Sequence, residues 1–192
     1  MKSEGFHHGN LRAALIAAGV QAVRVRGAGA VSLRDLAREV GVSPTAAYRH
    51  FADKGALIAA IAERGFQGLA AVTGQVATEG AAQERLLALA RAYIGFAEAE
   101  PQLYLLMFSE PLDMAAVAAL SSASADAYGP LRAAVEAALA EGAGEGEVTD
   151  ALVRVWSLMH GYITLRLADR LPRLATVEDR FDAVIRPVIA AL

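Results

Sequence analysis

Gly41 stands between two short segments whose apolar residues recur at helical spacing, and each segment opens on a serine. Ser32 precedes Leu33, Leu36, Ala37 and Val40, with Asp35 placed as a partner of the capping-box kind. Ser43 precedes Pro44, and proline suits a first helical position because the N–H it lacks would have no intrahelical partner there. This second segment ends near His50. Val42 and Phe51 can anchor it onto a preceding helix, expected from about Asn10 to Arg26, with Asn10 as its cap and Gly27-Ala28-Gly29 as its stop. That helix carries Leu11, Leu15, Ala18 and Ala22 on one stripe. Ala37 is small where the two short helices would cross, and Gly41 permits the turn between them.

The rest of the chain reads as helices as well. Hydrophobic residues make up 55% of it, but much of that share is alanine, which favours helices without adding bulk. Alternating strand patterns bounded by turn residues are hard to find. A long fourth helix is expected from Asp53 to about Gln75, with Leu57, Ile58 and Ile61 inward. A helix over about 82–100, a break at Pro101, a short helix over about 102–108 and a second break at Pro111 follow. The segment 112–140 has a helical pattern that Ser121-Ser122 and Gly129-Pro130 could interrupt. Glycines 142, 144 and 146 suggest a loop, after which Thr149 is expected to cap a helix bearing Leu152, Val155, Trp156, Met159, Ile163 and Leu167. The last helix carries Phe181, Val184, Ile185, Val188, Ile189 and Leu192. The expected fold class is all-α.

Charge is divided unevenly along this pattern. The whole chain has a formal net charge of −3, yet residues 1–55 carry +4 and the remainder −7. Such a split is what a chain shows when only its N-terminal end meets phosphates. Two short helices joined by a glycine turn form a helix-turn-helix, whose second helix enters the major groove of DNA. Its N-terminus, with free N–H groups and the positive end of the helix dipole, favours phosphate. The absence of cysteine removes disulfides and thiolate metal sites and fits a reducing cytoplasm. The opening residues lack the apolar stretch of an export signal, and no uncharged run reaches the roughly 18 apolar residues of a membrane helix, so a cytoplasmic chain without membrane contact is expected.

The stretch Ser32 to Lys54, SLRDLAREVGVSPTAAYRHFADK, resembles the helix-turn-helix of the TetR family of transcriptional regulators. Gly41-Val42-Ser43, Tyr48, His50-Phe51 and Lys54 fall in that pattern, which continues into Leu57. His7-His8-Gly9-Asn10-Leu11-Arg12 is similar to an opening used in one branch, and Trp156, His160 and Gly161 look like that branch's Trp-x-x-x-His-Gly signature. The resemblance implies that Ser32, Tyr48, His50 and Lys54 grip the DNA backbone. It implies that Pro44, Thr45 and Arg49 face base edges beside the capping Ser43, with Arg49 suited to a bidentate contact to guanine. Ala46 departs from a frequent hydroxyl residue and Ala47 from a larger apolar one, which would thin the packing beneath the helix.

It further implies an N-terminal three-helix DNA-binding domain over residues 1–55 and a helical ligand-binding and dimerisation domain over 56–192. The partners implied are double-stranded operator DNA of palindromic sequence, a small-molecule effector and a second copy held through the last two helices. Effector candidates are the aromatic and methionine side chains gathered in the middle of the chain. On the helices before Pro111 these are Tyr93, Phe96, Tyr104, Met107 and Phe108; further on come Tyr128, Trp156, Met159 and His160. Apolar walls with a few polar groups describe a ligand pocket, and they equally describe an ordinary core. Met107 and Phe108 lie on a short helix between two prolines that could shift as a lever. No cofactor is expected. An enzyme is the competing class, but the four histidines form no His-Glu-x-x-His pattern, and neither a Gly-x-Ser-x-Gly nor a phosphate-loop motif occurs. A DNA-binding module without an effector is the other alternative.

Overall fold

A computed structural model describes residues 11–109, 112, 118–171 and 177–192. Among them are nine α-helices and no strand. The helices are α1 (Leu11–Arg26), α2 (Leu33–Glu39), α3 (Pro44–Tyr48), α4 (Lys54–Thr73), α5 (Ala82–Ala99), α6 (Pro101–Ser109), α7 (Ala118–Ala138), α8 (Glu145–Leu167) and α9 (Val177–Ala190), with a 3-10 turn at Ala28–Ala30. The expected cap Asn10, the histidines His7 and His8, and the break at Pro111 lie outside the described residues.

By packing, the helices fall into two compact units. The first comprises Met1–Phe66 and Glu100–Ala123, the second Gln67–Ala99 and Ser124–Leu192. This grouping puts α6 with the helices of the turn motif, and α4 and α7 contribute to both units.

In the first unit the core is built where the apolar periodicity points. Leu15, Ile16, Ala22 and Val23 of α1 are buried with Leu33, Leu36 and Ala37 of α2 and Leu57, Ile58 and Ile61 of α4. The buried stripe of α1 is centred on Leu15, Gly19 and Val23; Leu11 and Ala18, expected inside it, are only half-buried. The reason is Gly19, where a β-carbon would stand 2.6 Å from Ile61 Cδ1, so α1 and α4 cross there. Gly41 has φ +77°, a left-handed conformation that closes the turn between α2 and α3 and that a side chain would strain. Arg24 of α1 donates to both carboxylate oxygens of Glu100 at 2.8 and 2.6 Å, fastening the start of α6 to α1. The expected break falls at Pro101: α5 ends at Ala99 and Pro101 opens α6, at the position where proline is tolerated.

The second unit is a bundle of α5, α8 and α9 with the later part of α7. Leu86, Leu87, Ala90, Leu152, Val155, Ile163, Phe181 and Ile185 are buried in it. Arg91 bonds Asp182, Arg166 bonds Glu98 and Arg186 bonds Glu84, so α5 is tied at its surface to both α8 and α9.

Two expectations for this unit need correction. Thr149 does not cap α8. The helix starts four residues earlier, because the Glu147 carboxylate accepts the Gly144 N–H at 2.8 Å and closes the first turn from within. Glu145 and Glu147 in that turn also suit the positive end of the helix dipole. Gly129-Pro130 does not interrupt α7 either. Pro130 lies inside the helix, and the carbonyl it leaves unpaired belongs to Asp126, an exposed residue that water can serve.

Helix α4 is long and apolar enough to cross a membrane by length and composition alone. It carries Glu63 and Arg64 near its middle and buries Leu57, Ile61, Phe66 and Leu69, as a core helix does.

Candidate nucleic-acid interface and aromatic cluster

Helix α3 is short because a cap starts it and its own C-terminal turn stops it. Ser43 Oγ accepts the Ala46 N–H at 3.2 Å, Pro44 occupies the first turn, and the backbone N–H of Arg49 closes onto Ala47. Ala47 is wholly buried against the unit's core, whereas Pro44, Thr45, Tyr48, Arg49 and His50 are exposed. At 100° per residue, positions 44, 45, 48 and 49 share one side of the helix, opposite Ala47. The helix therefore offers a continuous polar and aromatic face, with Tyr48 45% exposed.

The other expected backbone contacts flank that face in sequence. Ser32 Oγ accepts the Asp35 N–H at 3.4 Å and caps α2, and its hydroxyl hydrogen remains for an outside acceptor. Asp53 Oδ1 accepts the Ala56 N–H at 2.8 Å and so fixes the start of α4, where Lys54 follows. Lys54 Nζ donates to the Gly29 carbonyl at 3.1 Å. That bond holds the ammonium beside the loop leading into α2 and uses one of its three protons. All eight expected DNA-contacting residues, Ser32, Ser43, Pro44, Thr45, Tyr48, Arg49, His50 and Lys54, lie within the first unit.

Sequence reasoning passed over Arg12. Its guanidinium carbon lies 5.4 Å from the centroid of the Phe51 ring, immediately after His50. The arginine had entered through the charge balance and the opening motif, and although Phe51 was expected to rest on α1, no spacing singles out Arg12 as the residue it meets.

The nine expected effector residues are divided between the units. In the second, the Tyr93 hydroxyl and His160 Nε2 are 2.9 Å apart, and their rings meet edge to face at 5.6 Å. Trp156 stands edge to face with His160 at 5.1 Å, and Tyr128 stacks obliquely on Trp156 at 5.4 Å. Phe96 and Met159 are buried in the same unit. Burial pushes the His160 imidazole down to about 4, so it is neutral at neutral pH. In the first unit, Phe108 packs on Tyr104 at 4.9 Å and on Phe66 at 5.4 Å, and Met107 fills the notch that Gly65 leaves in α4. A separate surface hollow of about 430 Å³ lies between Glu136 and Val148 and involves none of these side chains.

Residues 15–61 match the sequence profile of the bacterial regulatory proteins of the tetR family, and residues 86–188 match that of the tetracyclin repressor-like C-terminal domain. The chain belongs to the TetR family. Members of this family are DNA-binding transcriptional regulators, and that is what this chain is. Among solved structures it is similar to a protein of unknown function from Rhodococcus sp. RHA1, with 32% identity, 99% of each chain covered and a TM-score of 0.84. It shares its fold with the TetR family transcriptional regulator PfmR from Thermus thermophilus, at 20% identity over 92% of this chain and 97% of that one, with a TM-score of 0.66. It also shares it with BioQ, solved with its double-stranded DNA operator, at 22% identity over 97% and 99% of the two chains, with a TM-score of 0.65. No curated protein matches it in sequence.

Proposed function

We propose that this TetR family regulator is a ligand-released repressor: a cytoplasmic homodimer that holds a palindromic operator and lets go when a small molecule occupies its helical body. The observation that carries this reading is the outward face of α3, where Ser43 sets the cap and Pro44, Thr45, Tyr48, Arg49 and His50 all stand exposed around a buried Ala47. Arg49 and Thr45 read base edges in the major groove, while Ser32, Tyr48, His50 and Lys54 hold phosphates on either side. The likeness to BioQ, which was solved on its DNA operator, supports the same use of the fold. Residues 1–55 act as the DNA-reading part and residues 56–192 as the regulatory part.

The second copy joins through α8 and α9. Val153, Trp156 and Leu165 of α8 are 54%, 37% and 47% exposed, and Val184 of α9 is also exposed. At 100° per residue Val153 and Trp156 lie about 60° apart on α8 whereas Leu165 stands half a turn from Trp156, so a symmetric pairing through α8 and α9 would cover part of this exposed apolar surface. Two recognition helices one DNA turn apart then read a palindrome. In the second unit the effector meets Tyr93, Phe96, Tyr128, Trp156, Met159 and His160; Tyr104, Met107 and Phe108 of α6 form a separate candidate cluster in the first unit. A neutral His160–Tyr93 pair among rings favours an aromatic, uncharged molecule with a hydrogen-bonding group. Release requires that this molecule prefer the state that does not fit DNA, since a ligand that binds both states equally shifts nothing.

Selecting bound fragments from a pool of random duplex DNA tests the reading. The expected product is an inverted repeat whose half-sites lie about 10 base pairs, or a multiple, apart. Enrichment of no sequence, with no duplex retained even at low ionic strength, would remove the operator-binding reading. Aromatic compounds that bind the protein yet never displace the selected operator would remove the release step.

A further inference from the structure

We propose that Arg12, at the start of α1, is an additional phosphate-binding residue of the DNA interface, with its guanidinium stationed by the Phe51 ring to grip the backbone beside His50. The proposal rests on the DNA-binding reading of α3 and extends it to a helix outside the turn motif.

The placement of Arg12 is hard to explain from α1 alone. It lies in the first turn of that helix, where the dipole presents its positive end and a cation is disfavoured. No acidic residue occupies that turn to compensate. Arg12 is exposed, and among the described residues it makes no ion pair. Its one defined neighbour is the face of Phe51 at 5.4 Å. Phe51 is itself 2% exposed and its backbone N–H bonds to Ala47, so the ring is a fixed platform.

A guanidinium held over a ring face keeps N–H donors for a further acceptor, since the π face attracts the charge without taking up all five donors. A phosphate oxygen matches that edge, because a planar fork donates two parallel bonds to a tetrahedral anion. The position is right as well as the chemistry. Phe51 directly follows His50, and Tyr48, Arg49 and His50 are all exposed at this end of α3. Arg12 therefore extends the same cationic and aromatic edge that α3 presents. The cost of a misplaced charge at a helix start is recovered when DNA arrives.

The test uses the full-length protein and a fluorescein-labelled duplex of random sequence, with affinity measured by anisotropy across a salt series. Arg12→Gln keeps a planar group over Phe51 but removes the charge, and Arg12→Lys keeps the charge but removes the fork. The expected result for Arg12→Gln is weaker binding and a slope of log affinity against log salt that is shallower by about 0.9 for each phosphate no longer neutralised. Arg12→Lys should keep the wild-type slope. Unfolding midpoints measured in parallel separate DNA binding from folding. If Arg12→Gln lowers the midpoint and leaves the slope untouched, the stacked arginine is only a brace for α3 and the proposal is overturned. A wild-type slope in Arg12→Gln with an unchanged midpoint overturns it too. If the wild-type protein shows no salt-dependent attraction to the duplex at all, the α3 reading falls first and this one with it.

Discussion

Gly65 and Gly95 should respond in opposite directions to the same substitution. Both lie inside helices, α4 and α5, where alanine is favoured over glycine by about 0.8–1.0 kcal/mol from backbone entropy alone. At Gly95 nothing lies within 4 Å of an added β-carbon, so Gly95→Ala should realise that gain nearly in full. At Gly65 the new carbon would overlap Met107 Sδ, stand 2.9 Å from Met107 Cγ and lie 3.2 Å from Leu103 Cγ. Met107 and Leu103 are both buried, so neither can swing into solvent. Overpacking of this kind costs roughly 1–3 kcal/mol. Set against the helix gain, Gly65→Ala should destabilise by about 1 kcal/mol and Gly95→Ala should stabilise by about 1 kcal/mol. For a chain of this size that is a fall and a rise in Tm of roughly 2–4 °C each. Thermal and urea unfolding at one fixed protein concentration would measure both, the concentration being held because assembly shifts apparent stability. In a Met107→Ala background, Gly65→Ala should lose its penalty. If Gly65→Ala raises Tm as far as Gly95→Ala does, Met107 is not wedged against α4 and the account of how α6 is seated fails.

Arg49→Ala should change base preference at one position of each half-site, whereas Lys54→Ala should weaken binding to every duplex alike and flatten the salt slope; parallel selections from random DNA separate the two. His160 is neutral in the fold, at about 4, and titrates near 6.5 when unfolded, so the unfolded chain takes up a proton first as pH falls. Stability should therefore be complete above about pH 6.5 and decline toward pH 4, by at most about 1.4 kcal/mol per pH unit and by less because the ring is partly exposed. His160→Gln should remove that part of the pH dependence in urea titrations, and an unchanged profile would refute it. Leu165→Glu should convert dimers to monomers in sedimentation velocity, because a carboxylate on each copy would be desolvated in the proposed α8–α9 pairing. Dimers that persist at the wild-type affinity would place the pairing elsewhere.

How much of this was legible in the sequence depends on how local the cause is. Ser32, Ser43 and Gly41 act on their own neighbours, through caps and a left-handed φ, so the turn motif and the ends of α2 and α3 could be read from spacing. The start of α8 was misread for the same reason in reverse. Glycines 142, 144 and 146 look like a loop one by one, but the Glu147 carboxylate closes a turn across two of them. Proline was overweighted at residue 130, which is carried inside α7, whereas Pro101 marks the break between α5 and α6. The inward stripe of α1 was displaced because Gly19 has no side chain to count as apolar, yet the closest approach of α4 occurs there.

The candidate sites divide along the same line. The residues proposed to face DNA follow one another within a single capped helix and its flanks, so their order in the chain already encodes a face. Arg12 meets Phe51, Arg24 meets Glu100 and Tyr93 meets His160 only because distant helices are packed together, and no periodicity announces such pairs. The Arg24–Glu100 pair lies within the first unit. It joins α1 directly to α6, so a displacement of Glu100 is felt in the helix on which the recognition helix rests, by way of two short bonds to a single guanidinium. A partly exposed pair of this kind contributes only about 1 kcal/mol to stability. Under the proposed release step its role would be positional, since a shift of α6 would act on α1 through these two bonds.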